Sequence, residues 1–407
     1  MQIYAPGTEI GSYRILSKPM QGGMGVVYAC HDLVNDRAVA LKTFKAEYLP
    51  DRAARDRFLR EGTAWVELGK HPHIVRCHNV LYIDPTAFLV LELVVKEEGR
   101  ADASLRSWLG AALPLETALL FALQIARGMQ HAVRKMPGFV HRDLKPENVL
   151  VGSDKLPGTE VNRLRVTDFG LAAMMQAEGE GRAEEDGPES LGRTHLTRGL
   201  LGTPLYMAPE QWRGEAVGVY TDVYALGCIL YEMLTGGRVV EGRNLSDLQA
   251  AHCGGGLRAL PEGLPGEVRA ILRRSLAREG RERYPSWEEV VGALEQVCGG
   301  QGVTPSALAE ERLSRAEQRD AASSYNEMGT SYAHMGNARV ALGYYERALS
   351  ILREIGDRRG EGAALGNLGN AYAALGEVRR AIGYYEEALK IDREIGDRRG
   401  EGNGIVL

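Results

Sequence analysis

Between residues 11 and 95 the apolar positions fall in short runs rich in β-branched and aromatic side chains: Tyr13–Leu16, Gly25–Cys30, Ala38–Lys42, Ile74–Val80 and Phe88–Val94. Polar and glycine-rich breaks separate them, so the pattern predicts the strands of a small antiparallel sheet. One interruption, Arg52–Leu68, sets Phe58, Trp65 and Leu68 at roughly helical spacing and predicts a single helix beside that sheet. From about Ser104 to Val297 the period becomes helical, over Leu115–Val133, Tyr220–Leu234, Pro265–Leu276 and Ser286–Val297. Within this region residues 176–192, QAEGEGRAEEDGPESLG, hold too little apolar surface to order themselves and predict a mobile loop.

After Val297 the pattern changes again. Residues 299–322, opening GGQGVTPS, predict a linker that is partly helical. The octet IGDRRGEG then occurs at 355–362 and at 395–402, a period of 395 − 355 = 40 residues, which calls for an array of stacked units.

Composition narrows the setting. The 407 residues are 44% hydrophobic and 25% charged, the balance of folded, water-soluble material. A net charge of −5 gives no general electrostatic footprint for nucleic acid or a membrane surface. The longest apolar stretch, Val223–Leu234, is too short to span a bilayer and carries Glu232, so it predicts a buried helix. The N-terminus lacks a basic flank followed by an apolar core, and no secretory leader is expected. The five cysteines are scattered without a C-x-x-C pair, which argues against a disulfide framework or zinc site and for a reducing cytoplasm.

Two polar segments carry candidate chemistry. HRDLKPEN at 141–148 sets a carboxylate (Asp143), an ammonium (Lys145) and a carboxamide (Asn148) close together between apolar stretches. LRVTDFG at 164–170 presents Asp168 at the end of an apolar strand. Asn148 and Asp168 are oxygen donors of the kind that holds Mg²⁺, which takes few protein ligands and completes its shell with phosphate oxygens. Asp143 is then placed to receive a hydroxyl proton. Upstream, Lys42 ends the strand AVALK and Glu61 lies on the following helix, a pair able to hold the lysine against a phosphate. His71 and His73 in GKHPHIV are read as turn residues rather than metal ligands.

In this order, these parts resemble the eukaryotic-type protein kinases, and in particular the bacterial serine/threonine kinases. The resemblance covers about 290 residues and implies an α+β, two-lobed fold: a small lobe at 13–94 after an extension at 1–12, and a large lobe at 95–298. It implies ATP and Mg²⁺, with Lys42 on the phosphates, Glu61 as its partner, Asp143 as catalytic base, and Asn148 and Asp168 as Mg²⁺ ligands. Val27 and Ala40 would cover the adenine ring from one side and Leu150 from the other, with the backbone of Glu92 to Val94 bonding its edge and Leu91 as gatekeeper. Lys145 together with Thr203 in GTPLYMAPE is the serine/threonine pattern; Lys145 would neutralise the moving phosphoryl group. Ala208-Pro209-Glu210 would close the activation segment, Glu210 would pair with Arg283, and Asp222 would brace the catalytic loop. Arg142 beside Asp143, read as buried, calls for an anionic partner and so for phosphorylation of Thr194 or Thr197.

The glycine loop departs from the family pattern. Residues 20–25 read MQGGMG, so Gly22, Gly23 and Gly25 are present while Met20 stands where the first glycine belongs. This predicts a weakened rather than abolished ATP site, and it keeps a rival reading open: a pseudokinase scaffold that assembles a signalling complex.

The C-terminal units resemble tetratricopeptide repeats. Met328, Gly329, Tyr332, Ala341, Tyr345 and Ala348 fall at the motif's offsets, as do Leu368, Gly369, Tyr372, Ala381, Tyr385 and Ala388. Two repeats at 323–399 and the start of a third at 400–407 imply a groove for a protein or peptide partner. Two units are few for a stable stack, so two arrangements stay open: the given chain is a truncated piece of a longer array, or the repeats pack on the kinase lobe or on another copy, a homodimer being one such case.

Overall fold

The computed structural model describes residues 3–21, 25–44, 58, 62–83, 86–156, 159–169, 203–300 and 315–396. Among these, the chain divides into two compact units, and the division does not follow chain order. One unit takes residues 1–69, 76–93 and 311–407; the other takes 70–75 and 94–310.

The first unit is built on a seven-stranded antiparallel sheet: β1 (Glu9–Ile10), β2 (Tyr13–Ile15), β3 (Met20–Gln21), β4 (Gly25–Asp32), β5 (Arg37–Phe44), β6 (Cys77–Ile83) and β7 (Thr86–Glu92). The strand order is β1-β2-β4-β5-β7-β6, with β3 paired to β4 outside this path, so β6 is an edge. Alternation decides the faces. Val26, Tyr28 and Cys30 of β4 join Val39 and Leu41 of β5, Phe88 and Val90 of β7, and Ile10, Tyr13 and Ile15 in one core. The sheet thus begins inside the stretch read as an extension, because Ile10 has an apolar face to bury. The helix expected near residues 52–68 is described at Phe58 and over 62–67, named α1 here.

The same unit holds four helices of the repeats: α8 (Arg315–His334), α9 (Ala338–Ile355), α10 (Arg358–Ala374) and α11 (Val378–Ile395). Helix α8 starts inside the stretch read as a linker. In each hairpin a tyrosine enters the space left by a glycine: a Cβ at Gly369 would lie 2.5 Å from the Tyr385 ring, and one at Gly329 closer still to Tyr345. The motif alanines Ala341, Ala348 and Ala381 are buried between the helices.

The second unit is helical apart from a two-stranded ribbon, β8 (Val149–Lys155) with β9 (Asn162–Val166). Its helices are α2 (Leu115–Lys135), α3 (Pro209–Arg213), α4 (Val219–Thr235), α5 (Leu245–Gly254), α6 (Gly266–Ser275) and α7 (Trp287–Gly300). Four of these match the sequence periods to within a few residues; α3, of only five residues, and α5, whose apolar face is short, were not expected. Helix α4 is buried nearly all round, which is why its sequence shows a continuous apolar run. Among the described residues no helix is long and apolar enough to cross a membrane.

Candidate active site

The ribbon β8–β9 brings HRDLKPEN beside the Asp168 strand end. Val149 pairs with Val166 and Leu150 with Arg165, so the loop preceding β8 and the turn following β9 meet at the same end. The amide of Thr167 donates to the Asn148 carbonyl at 2.9 Å, and the Thr167 carbonyl lies 2.9 Å from His141 Nε2. Phe169 is buried, with its ring 5.4 Å from that of His141 and 5.7 Å from that of Phe139.

Inside the loop, one carboxylate collects two donors. Lys145 Nζ donates to Asp143 Oδ1 and Oδ2 at 3.0 and 2.7 Å, and Asn148 Nδ2 donates to Asp143 Oδ2 at 3.0 Å and to its carbonyl at 2.8 Å. Asn148's nitrogen is thereby committed to Asp143, which orients its oxygen away from that carboxylate. Asn148 and Asp168 supply two oxygen donors at one end of the ribbon. That set fits a hard cation sharing its shell with phosphates.

Two non-glycine residues here adopt left-handed backbone: Arg142 at φ 64° and Asp168 at φ 65°. Such conformations cost about 1 kcal/mol or more each and persist where the surroundings over-determine them. For Arg142 the surroundings are explicit. Asp222 Oδ2 accepts from the His141 amide at 2.7 Å and Oδ1 from the Arg142 amide at 2.9 Å, while Gln211 Nε2 donates to the Arg142 carbonyl at 2.9 Å. Asp222 comes from the buried helix α4, and burial pushes its carboxyl up to about 6 against the pull of His141 and the two amides. Arg142 itself is half-buried, not buried as the sequence reading had it.

Glu210 and Arg283 form a buried bidentate pair, at 2.8 and 3.1 Å, with both side chains almost without solvent contact. Thr221 Oγ1 donates to Glu210, and Arg283 also donates to the carbonyls of Tyr220, Ala277 and Arg278. Removal of either ion from so complete a set leaves the other unpaired in a low-dielectric site.

In the first unit, Val27 is the register partner of Lys42, Ala29 of Ala40, Ala40 of Leu91 and Lys42 of Leu89. Val27, Ala40, Lys42 and Leu91 therefore share the sheet face opposite the core. Gly25 opens β4, and the Glu92 amide is committed to the Arg76 carbonyl at 2.8 Å. Met20 pairs with Val27 in β3 and is more than half exposed, so it fits the hairpin without displacing the core. Val94 follows β7, Leu150 lies on β8, and Thr203 opens a short 3₁₀ turn, Thr203–Leu205. Gly22, Gly23, Glu61, Thr194, Thr197, the loop 176–192 and the third repeat lie outside the described residues.

Sequence reading missed one network. Arg106 donates to Glu147 at 2.8 Å and to Glu232 at 2.7 Å, and Tyr206 hydrogen-bonds with both Arg106 and Glu232. It ties the residue before Asn148 to helix α4 and to the turn after Thr203. The available signal was Glu232 alone, a carboxylate inside an apolar helix that needs a cation. His71 and His73 are buried, and burial holds their imidazoles neutral, down to about 2 and about 3. Among the described residues no group of three His, Cys, Asp or Glu could hold a metal ion.

The protein kinase domain family matches residues 13–290. The chain belongs to this family. The kinase domain is followed by a match to the tetratricopeptide repeat family over residues 320–394. Among curated relatives, the serine/threonine-protein kinase PknE of Mycobacterium tuberculosis is 32% identical over 68% of this chain and 44% of its own length. PrkC of Bacillus subtilis is 30% identical over 69% of this chain and 39% of its own length. A probable serine/threonine-protein kinase of Clostridium perfringens is 29% identical over 74% and 40%. The chain thus spans about two fifths of the length of these relatives. A crystal structure of the M. tuberculosis PknI kinase domain matches with a TM-score of 0.51 at 24% identity, over 73% of this chain and 99% of that one, a likeness of fold.

Proposed function

We propose that the protein transfers the γ-phosphoryl group of ATP to serine or threonine hydroxyls of protein substrates, and that the repeats recruit a protein or peptide partner. The carrying observation is the catalytic loop, where Asp143 is oriented by Lys145 and Asn148 while Asp222 fixes the strained backbone on its N-terminal side. In this reading Asp143 receives the hydroxyl proton as the oxygen attacks phosphorus, and Lys145, already 2.7 Å from that carboxylate, turns to the transferring phosphoryl group. Asn148 and Asp168 would hold Mg²⁺, which when bound neutralises charge on the phosphate oxygens. Lys42 would hold the phosphates from the small-lobe sheet, and Val27 and Ala40 beside it would cover the adenine.

The test is incorporation of labelled phosphate from Mg·ATP into the purified chain and into a generic basic protein, with Asp143→Asn in parallel and phosphoamino-acid analysis of the product. Label on serine or threonine that disappears in the variant is the expected result. Nucleotide binding without any transfer would instead favour the scaffold, in which the repeats assemble a complex around an inactive domain.

A further inference from the structure

The repeats and the small-lobe sheet form one compact unit, and their contact combines buried hydrogen bonds with more exposed ion pairs. Helix α8 lies along the edge strand β6, where unpaired strand groups would otherwise face outward. Ser331 Oγ donates to the Val80 carbonyl at 2.9 Å, Asn79 Nδ2 donates to Glu327, and Tyr332 Oη lies 3.2 Å from Thr63 Oγ1 of α1. Arg37 and Arg76 approach Asp320 at 3.3 and 3.7 Å, and Arg347 of α9 pairs with Glu67 of α1.

The 40-residue period gives an internal control. The positions of α10 equivalent to Asp320, Ser324, Glu327 and Ser331 are Gly360, Ala364, Asn367 and Ala371. In α10 this row is mostly small because it packs on the preceding hairpin: Ala364 and Ala371 are buried, and a Cβ at Gly360 would collide with Leu352. In α8, the first described helix of the repeats, the same row is polar, and Asp320, Glu327 and Ser331 meet polar partners on β5 and β6. The kinase sheet therefore stands where a preceding repeat would stand, and caps the stack.

The contact reaches the Lys42 face in three steps. Val80, whose carbonyl receives Ser331, also packs on α1, where a Cβ at Gly62 would lie 2.7 Å from its side chain. Gly62 approaches Leu89 equally closely, and Leu89 is the register partner of Lys42. Glu61, the residue that family resemblance pairs with Lys42, directly precedes Gly62 in the chain.

We propose that the first repeat hairpin is a built-in positioning element of the small lobe: through Ser331, Tyr332 and Arg347 it holds α1 against the Lys42 face and thereby sets the rate of phosphoryl transfer. This rests on the phosphotransfer reading above. Ser331, Tyr332 and Arg347 are positioning residues, acting through α1 and β6 without touching substrate.

The test compares the full-length chain with Ser331→Ala/Tyr332→Phe, which deletes two hydroxyls at nearly constant volume, and with Tyr372→Phe, the equivalent tyrosine of the second repeat, as control. Loss of two buried hydrogen bonds should lower kcat about tenfold and raise hydrogen exchange over residues 62–67, with KM for the protein substrate nearly unchanged. The control should match wild type. Arg347→Glu should lower kcat in the same manner, and adding Glu67→Arg in the same chain should restore it. Wild-type kcat and exchange in the double variant, or failure of the swapped pair to recover, would overturn the proposal. If the wild-type chain itself transfers no phosphate, the phosphotransfer reading falls and the catalytic half of this proposal with it, while the exchange of residues 62–67 still decides whether the hairpin holds α1.

Discussion

In the repeat stack, residues forty positions apart do the same job: Gly329 admits Tyr345 as Gly369 admits Tyr385, and Tyr332 stacks on Tyr344 as Tyr372 stacks on Tyr384. In the loop at 141–148 no position has an equivalent. There Arg142 and Asp168 sit in left-handed backbone, and the groups that hold Arg142 come from Gln211 and Asp222, some seventy and eighty residues away in sequence. The repeats are stabilised by many small, local and interchangeable contacts, whereas the loop depends on a few buried polar groups, each irreplaceable. This predicts that damage to the loop region is large and global, while damage to the second repeat is small and local.

The largest expected effect is at the buried pair. Glu210→Ala leaves Arg283 charged and unpaired among carbonyls, and should destabilise the second unit by about 3–5 kcal/mol. A thermal unfolding curve within about 1 kcal/mol of wild type would show that the pair is not the anchor its geometry indicates.

Next is the one strongly perturbed carboxylate among the described residues of the repeats. Burial, with Asp32 nearby, pushes Glu327 up to about 7 from the ordinary 4.5, against the opposing influence of Arg37, Asn79 and Ser323. The unfolded chain ionises first, so between 4.5 and about 7 the folded state holds an extra proton and stability falls as pH rises. The fall should amount to about 3 kcal/mol by pH 8. Glu327→Gln should remove that part of the slope, gaining stability at pH 8 and little at pH 4; parallel wild-type and variant profiles would contradict it.

A smaller, confined effect is expected at Gly369→Val, where the added carbons meet the Tyr385 ring. Overpacking of this kind costs about 1–3 kcal/mol. Hydrogen exchange should rise in α10 and α11 alone, with the proposed phosphate transfer retained; loss of transfer would extend the coupling proposed for the first repeat to the second. The smallest effect belongs to Arg353→Ala. Its partners Glu361 and Glu387 lie at 2.9 and 3.1 Å, yet the arginine is nearly half exposed. The change should stay within about 0.5 kcal/mol in denaturant melts and shrink further in high salt.

Legibility in the sequence divides along the same line. The strands β4, β5 and β7, the helices α2 and α4 and the repeat hairpins were readable because each repeats a simple period of two, 3.6 or forty. Asp143, Lys145 and Asn148 were readable because they lie within six residues of one another. Arg106, Glu232 and Tyr206 were not, since their meeting spans more than a hundred residues and only Glu232's place in an apolar helix hints at it. The strand at Glu9–Ile10 was too short to show a period, and Arg142 was read as buried from its place beside Asp143 in the family pattern, whereas the fold leaves it half-buried.

By itself the sequence determined the local chemistry and the order of the parts: which carboxylates, amides and ammonium stand together, where the sheet gives way to helices, and that the C-terminal units repeat. The tertiary structure decided which backbone is strained and what holds it, and that the repeats join the small-lobe sheet although some 220 residues separate them in the chain. The physical reason is that periodicity records only how an element buries its own face. The complementarity of Asp320, Glu327 and Ser331 to Arg37, Asn79 and Val80 exists only once both surfaces are folded.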